Sequence, residues 1–158
     1  MQPFDISSQP RAAQFDFLLA LFRPLLTVDE ASLLTDGLDP SHIRNLIDEG
    51  KFRAINIASS TETARSLRIY RYSVEHLLIC PKRPLALVPV ETILSHSRPH
   101  FLKWEVANLL SCTTRHIENL QTAELLPGPS LSLGSMNRNP RYTREGVIEF
   151  LTTREVKP

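Results

Sequence analysis

The sequence predicts a mainly α fold with small β-hairpins, built as two tandem copies of one small module. Three observations predict it: segments of the chain recur in the same order, the apolar spacing switches from helical to alternating within a copy, and turn-forming residues stand at the switches. Self-similarity constrains a fold more firmly than any local pattern. Leu25–Leu34 (LLTVDEASLL) lies over Phe101–Leu110 (FLKWEVANLL), so that Leu26, Ala31, Leu33 and Leu34 recur as Leu102, Ala107, Leu109 and Leu110, and Asp29 as Glu105. His42-Ile43-Arg44-Asn45-Leu46 recurs as His116-Ile117-Glu118-Asn119-Leu120, and Arg71-Tyr72-Ser73 as Arg141-Tyr142-Thr143.

Residues 1–25 hold an expected N-terminal helix, with Phe15, Leu18, Leu19 and Phe22 on one face and Pro24 at its end. The first copy spans 26–80. Thr27 and Glu30 form a capping box, in which Thr27 caps and Glu30 reaches back, and Val28, Ala31 and Leu34 make a short apolar stripe. Asp36-Gly37 breaks that helix, and Asp39-Pro40 starts another with a carboxylate cap and proline in the first turn. Ile43, Leu46 and Ile47 form its buried face, and Gly50 ends it. Two short helices joined by a tight turn make a helix-turn-helix. Lys51–Ile57 and Leu67–Tyr72 then alternate like strands around polar Ser59–Ser66, the hairpin tip. Ser73 is expected to cap a last helix carrying Val74, Leu77 and Leu78. A connector, 81–100, has proline near both ends and a short helix at Val90–Leu94. The second copy spans 101–158, where Pro127, Gly128, Pro129, Gly134, Asn137 and Pro140 loosen the hairpin. The fold class is therefore two tandem winged helix-turn-helix domains.

Composition narrows the function classes. At 158 residues, 42% hydrophobic and 22% charged, the chain can bury a core. Its net charge of +1 neither advertises nor opposes nucleic-acid binding. Residues 26–80 carry six basic and eight acidic groups, and residues 81–158 ten basic and seven acidic. Cys80 and Cys112 do not make a disulfide framework. With no apolar run of membrane length and no signal-peptide order, the expected location is cytoplasmic and no membrane partner is expected. His96 and His100 are four apart, but Pro99 breaks the helix that such a metal pair requires. Five glycines make no phosphate loop, and no acid, hydroxyl or thiol sits in a catalytic arrangement. The chain is expected to be non-enzymatic, without cofactor or metal.

The motifs LTVDEASLL, NLIDEGKF and RIYRYSVEHLL of the first copy resemble the excisionase-like branch of the MerR-type winged helix-turn-helix domains. So do LKWEVANLL, NLQTAELL and PRYTREGVIEFL of the second. The second copy departs at Lys103 for the capping threonine, Gln121 for apolar Ile47 and Glu124 for Gly50, and the first has two extra residues in its turn. The resemblance implies double-stranded DNA binding, with the second helix in a major groove and the wing over adjacent backbone. It implies transcriptional regulation or control of site-specific recombination, without catalysis.

With Ile43, Leu46 and Ile47 turned inward, Ser41, Asn45 and Asp48 point outward, and Arg44 and His42 lie on the flanks. Thr114, Arg115, His116, Asn119 and Thr122 take the matching places in the second copy. Asparagine pairs bidentately with adenine and arginine with guanine. Arg53, Arg65, Arg68 and Arg71 around the first hairpin, and Arg138, Arg141 and Arg144 in the second copy, are expected phosphate contacts. Arg71 and Arg141 carry extra weight as a repeated pair. The favoured function is a sequence-specific transcriptional regulator reading adjacent DNA segments. One alternative is a recombination directionality factor partnered by an integrase. Another is a protein-interaction module, favoured by acidic Asp48 and Glu49. The N-terminal helix either completes the first core or makes a homodimer.

Overall fold

Thr27 sets the start of the first helix, its hydroxyl accepting the Glu30 backbone N–H at 3.2 Å. The computed structural model describes residues 23–59, 66–94, 99–128 and 141–158. The expected N-terminal helix, the hairpin tip with Arg65, His96 and Arg138 lie outside them. Among the described residues, seven helices and two small antiparallel sheets make a small α/β protein. The order is β1 (Leu25–Leu26), α1 (Val28–Leu34), α2 (Pro40–Asp48), β2 (Ala54–Asn56), β3 (Leu67–Tyr70), α3 (Arg71–Ile79) and α4 (Val90–Ile93). There follow β4 (His100–Leu102), α5 (Lys103–Leu109), α6 (Thr114–Thr122), β5 (Arg141–Thr143) and α7 (Arg144–Thr153).

Local chemistry departs from expectation at two caps and in the capping box. Asp39 precedes α2 without a side-chain cap, because its carboxylate accepts the Ser41 hydroxyl at 2.6 Å instead. Ser73 does not start α3, which begins two residues earlier. Its buried hydroxyl donates to the Tyr70 carbonyl at 2.7 Å and accepts the Arg53 N–H, tying the helix to the residue just before β2. Glu30 accepts from the Thr27 hydroxyl, so only half of the box is made as expected.

Among the described residues, several backbone features of 25–79 recur in 100–153, in a register different from the letter match. Arg71 N–H donates to the Pro24 carbonyl and Arg144 N–H to the Pro99 carbonyl, both at 2.9 Å, so each arginine opens the corresponding helix. Leu26 lies opposite Ile69, and Phe101 opposite Tyr142. Positive φ recurs at Asp36 (56°) and Ser111 (51°) after the first helix, and at Gly50 (72°) and Glu124 (57°) after the second. The α2 end is closed by Lys51 and Phe52 N–H on the Leu46 carbonyl, and the α6 end by Leu125 and Leu126 N–H on that of Leu120. Arg71 therefore corresponds to Arg144, and Arg68 to Arg141. The letter match of Arg71 with Arg141 is displaced by three residues, because helix starts follow strand pairing and not the Arg-Tyr dipeptide. The first turn is one residue longer than the second, not two.

The three-stranded sheet, ordered β1-β3-β2, is buried on both faces. Neighbouring strand residues point to opposite sides. Leu26, Ala54 and Ile69 pack against α1 and α2 with Ala31, Ile43, Leu46, Ile47, Phe52 and Val74. Leu25, Ile55 and Tyr70 turn the other way and join the core of the second half, among Leu110, Ile117, Leu120, Tyr142 and Phe150. The second core is thus not confined to residues 101–158. A half-buried sheet would alternate apolar with polar; on this one the face between the two halves is apolar at Leu25, Ile55 and Tyr70, with Arg68 the buried polar exception.

Candidate nucleic-acid interface

Helix geometry brings the expected reading residues to two solvent faces. On α2, burial of Ile43, Leu46 and Ile47 leaves Ser41, His42, Arg44, Asn45 and Asp48 exposed. On α6, burial of Ile117 and Leu120 leaves Thr114, Arg115, Glu118, Asn119 and Thr122 exposed, with Thr113 capping through the His116 N–H. Each buried aliphatic side chain contributes about 1.5–3 kcal/mol to holding these faces in place. Asn45 and Asn119 occupy matching positions. Arg44 and Arg115 do not, since Glu118 corresponds to Arg44 and is held by Lys103 at 3.0 Å. That pair draws the Glu118 carboxyl below its usual range, through the hydrogen bond first and the Lys103 charge second.

The basic residues divide into two groups. Arg44 and Arg115 have no hydrogen-bond or ion-pair partner among the described residues, and the same holds for Asn45, Asn119 and half-buried Arg141. The second group is engaged in the fold. Arg53, with its side chain 10% exposed, pairs with Glu155, donates to the Val88 carbonyl and the Tyr72 hydroxyl, and stacks on the Tyr70 ring at 4.8 Å. Burial works against its charge, but the bonds to Glu155 and Tyr72 outweigh it and raise its pKa above the ordinary value.

Arg68 is 8% exposed and donates to the Leu110 carbonyl at 2.9 Å and to the Ser111 carbonyl at 3.0 Å. Burial pushes its pKa down. The guanidinium groups of Arg53 and Arg68, both expected at phosphates, are thus engaged in bonds within the protein. Arg71 holds Glu75 at 3.0 Å, one turn along α3. Arg144 donates to the Leu94 and Glu91 carbonyls, both at 2.8 Å, and so fastens α4 to α7. His116 is not exposed like His42. Its Nε2 faces the Ile57 carbonyl, which can only accept, so Nε2 carries the proton.

No family model matches this chain. No curated protein and no solved structure matches it either.

Sequence reasoning missed the residues that join the two halves. Arg154 donates to the Asn56 carbonyl at 3.0 Å and to the Ala58 carbonyl at 2.6 Å, and Ser111 donates to the Leu25 carbonyl at 2.7 Å. Residues 154–156 run antiparallel beside β2, with Asn56 N–H on the Arg154 carbonyl and Val156 N–H on that of Ala54. Arg23 spans α5 and α1, donating to Asn108 at 2.9 Å and standing 4.0 Å from Glu30. One signal was present: Leu25, Ile55 and Tyr70 are apolar on the sheet face that a lone hairpin would show to water. No helix among the described residues is long and apolar enough to cross a membrane.

Proposed function

We propose that this chain is a non-enzymatic, sequence-specific double-stranded DNA-binding protein built from two winged helix-turn-helix units, α1–α2 with β2–β3, and α5–α6 with β4–β5. The observation that carries the reading is the pair of solvent faces on α2 and α6. Each presents an asparagine at the same helical position and an arginine within one turn, and none of these four side chains makes a hydrogen bond or ion pair among the described residues. Arg44 and Arg115 supply the guanine-reading or phosphate-neutralising charge, and Asn45 and Asn119 the adenine-reading amide. Arg141, half-buried beside Leu102, is the phosphate contact retained from the sequence reading. The biological role that fits is transcriptional regulation.

Exposed carboxylates on the first unit favour a second reading, protein docking. Asp29, Asp36, Asp39 and Asp48 are all exposed, and Leu33, one turn after Asp29 on α1, is 79% exposed. An acidic face would repel phosphate, so salt dependence separates the two readings. Binding of the full chain to random and selected duplexes is measured from low to physiological salt. Duplex binding that weakens as salt rises supports DNA reading. Absence of duplex binding at every salt concentration supports the protein partner.

A further inference from the structure

The contacts between the two units are polar and directional, and they gather at two places, the α5–α6 turn and the residues just beyond β2. Arg68 leaves β3 of the first unit and grips the carbonyls of Leu110 and Ser111, the α5–α6 turn of the second. Ser111 is the residue with positive φ in that turn, and its hydroxyl reaches back to the Leu25 carbonyl of β1. His116, on the first turn of α6, meets the Ile57 carbonyl just beyond β2. Arg154, at the end of α7, holds the carbonyls on either side of that same residue, Asn56 and Ala58. Below these bonds the apolar side chains of both units merge into one cluster. Two small domains on a linker would turn relative to each other; these are locked by crossed hydrogen bonds over a shared core.

We propose that this joint determines the spacing of the DNA site, with Arg68, Ser111 and Arg154 as positioning residues for α2 and α6. The proposal rests on the duplex-binding reading above. Because each unit is held against the other, the offset between the two blocks of base contacts is a property of the protein and not of the DNA. One inserted base pair shifts a block by about 3.4 Å and rotates it by roughly 35°. A side chain placed for a bidentate pair tolerates neither. The joint also accounts for the buried arginine: the second unit's counterpart, Arg141, has no further turn to grip among the described residues and is left without a partner. Likewise Leu25 and Tyr70, which the second unit covers, correspond to half-buried His100 and Thr143.

Two measurements on the full chain test this. Spin labels at Asp48→Cys on α2 and Thr122→Cys on α6, with Cys80 and Cys112 changed to serine, report the distance between the reading helices without DNA. The expected result is one narrow distribution, broadened by Arg68→Ala or by Arg154→Ala. A duplex selected from random sequence is then lengthened by one, two and five base pairs between its two contact blocks. Affinity of the parent is expected to fall roughly 10- to 100-fold at the first insertion. Arg68→Ala, or Arg154→Ala if the former does not fold, is expected to bind the original site more weakly yet change less than about 3-fold across the series. A broad distance distribution in the parent overturns the joint. Equal affinity across the insertions with a narrow distribution overturns the spacing role. No duplex binding at all overturns the DNA reading, and the spacing role with it, while the distance measurement still decides whether the joint is rigid.

Discussion

Replacing Glu124 by glycine should stabilise the protein, although glycine is generally the poorer residue for a folded chain. Glu124 lies just beyond α6 with φ of 57°, and Gly50 occupies the same place beyond α2 with φ of 72°. Both ends are closed by the same pair of bonds, from Lys51 and Phe52 to Leu46 and from Leu125 and Leu126 to Leu120, so the backbone conformation is imposed by the turn. An L-residue there pays about 1–2 kcal/mol for crowding of its Cβ against the carbonyl. The gain is reduced by the greater freedom of glycine in the unfolded chain, about 0.5–1 kcal/mol. Removing an exposed carboxylate from the negative end of α6 returns a few tenths, roughly 0.3 kcal/mol. The net expectation for Glu124→Gly is about 1 kcal/mol of stabilisation, or a rise of roughly 2–4 °C in Tm for a chain of this size. Gly50→Ala should do the reverse by about 1 kcal/mol. A Cβ at Gly50 would meet only Pro158, at 3.6 Å, so the cost there is conformational and not a clash. Thermal unfolding followed by circular dichroism, with urea melts for the free energy, measures both. If Glu124→Gly melts at or below the parent, the assigned backbone or its equivalence to Gly50 is wrong.

Three further outcomes follow from the same side-chain accounts. The Tyr70 hydroxyl is buried with no hydrogen-bond partner, whereas that of Tyr142 donates to Gln121 Oε1 at 2.8 Å. Tyr70→Phe should therefore be neutral or stabilising by up to about 1 kcal/mol and Tyr142→Phe destabilising by about 1 kcal/mol in urea melts. Glu155→Gln should cost about 3 kcal/mol by leaving the guanidinium of Arg53 largely buried beside a neutral partner, and Arg53→Met with Glu155→Gln should recover part of the loss. Burial pushes the Cys112 thiol up to about 11 from an ordinary value of 9.0, the nearby Arg68 charge offsetting it only in part. A raised thiol pKa favours the protonated folded form, so its contribution is complete below pH 9 and lost as pH rises toward 11. Iodoacetamide at pH 8, read by mass spectrometry, should spare Cys112 until the protein is denatured.

The sequence carried the helices and much of their faces. The 3.6-residue spacing of Ile43, Leu46 and Ile47, and of Ile117 and Leu120, placed Asn45 and Asn119 outward before any coordinates. The Asp36-Gly37 break stands where the backbone turns left-handed. Register in the third repeated segment was not legible, because Arg-Tyr occurs on both sides of a strand-to-helix transition that only pairing partners define. Nor were the fates of the arginines. Arg68 and Arg44 read alike in a string, and what separates them is whether a second unit stands over them. In space Leu102, not Lys103, stands where Thr27 caps the first unit, and the Lys103 ammonium holds Glu118 across the turn. Helix α5 starts from Leu102 with no side-chain cap at all.

The central claim, that the two exposed helix faces read duplex DNA, is tested most directly by one binding series. Parent, Asn119→Ala and Arg115→Ala are titrated with a selected duplex and a scrambled duplex at four salt concentrations, with folding checked by melting. Asn119→Ala should cost about 1–3 kcal/mol on the selected duplex, leave the scrambled one unchanged and keep the salt slope. Arg115→Ala should weaken the selected duplex and, if it neutralises a phosphate, lower the slope of log K against log salt by about 1. Indistinguishable binding by all three folded proteins, or no salt-dependent binding by the parent, would contradict the account.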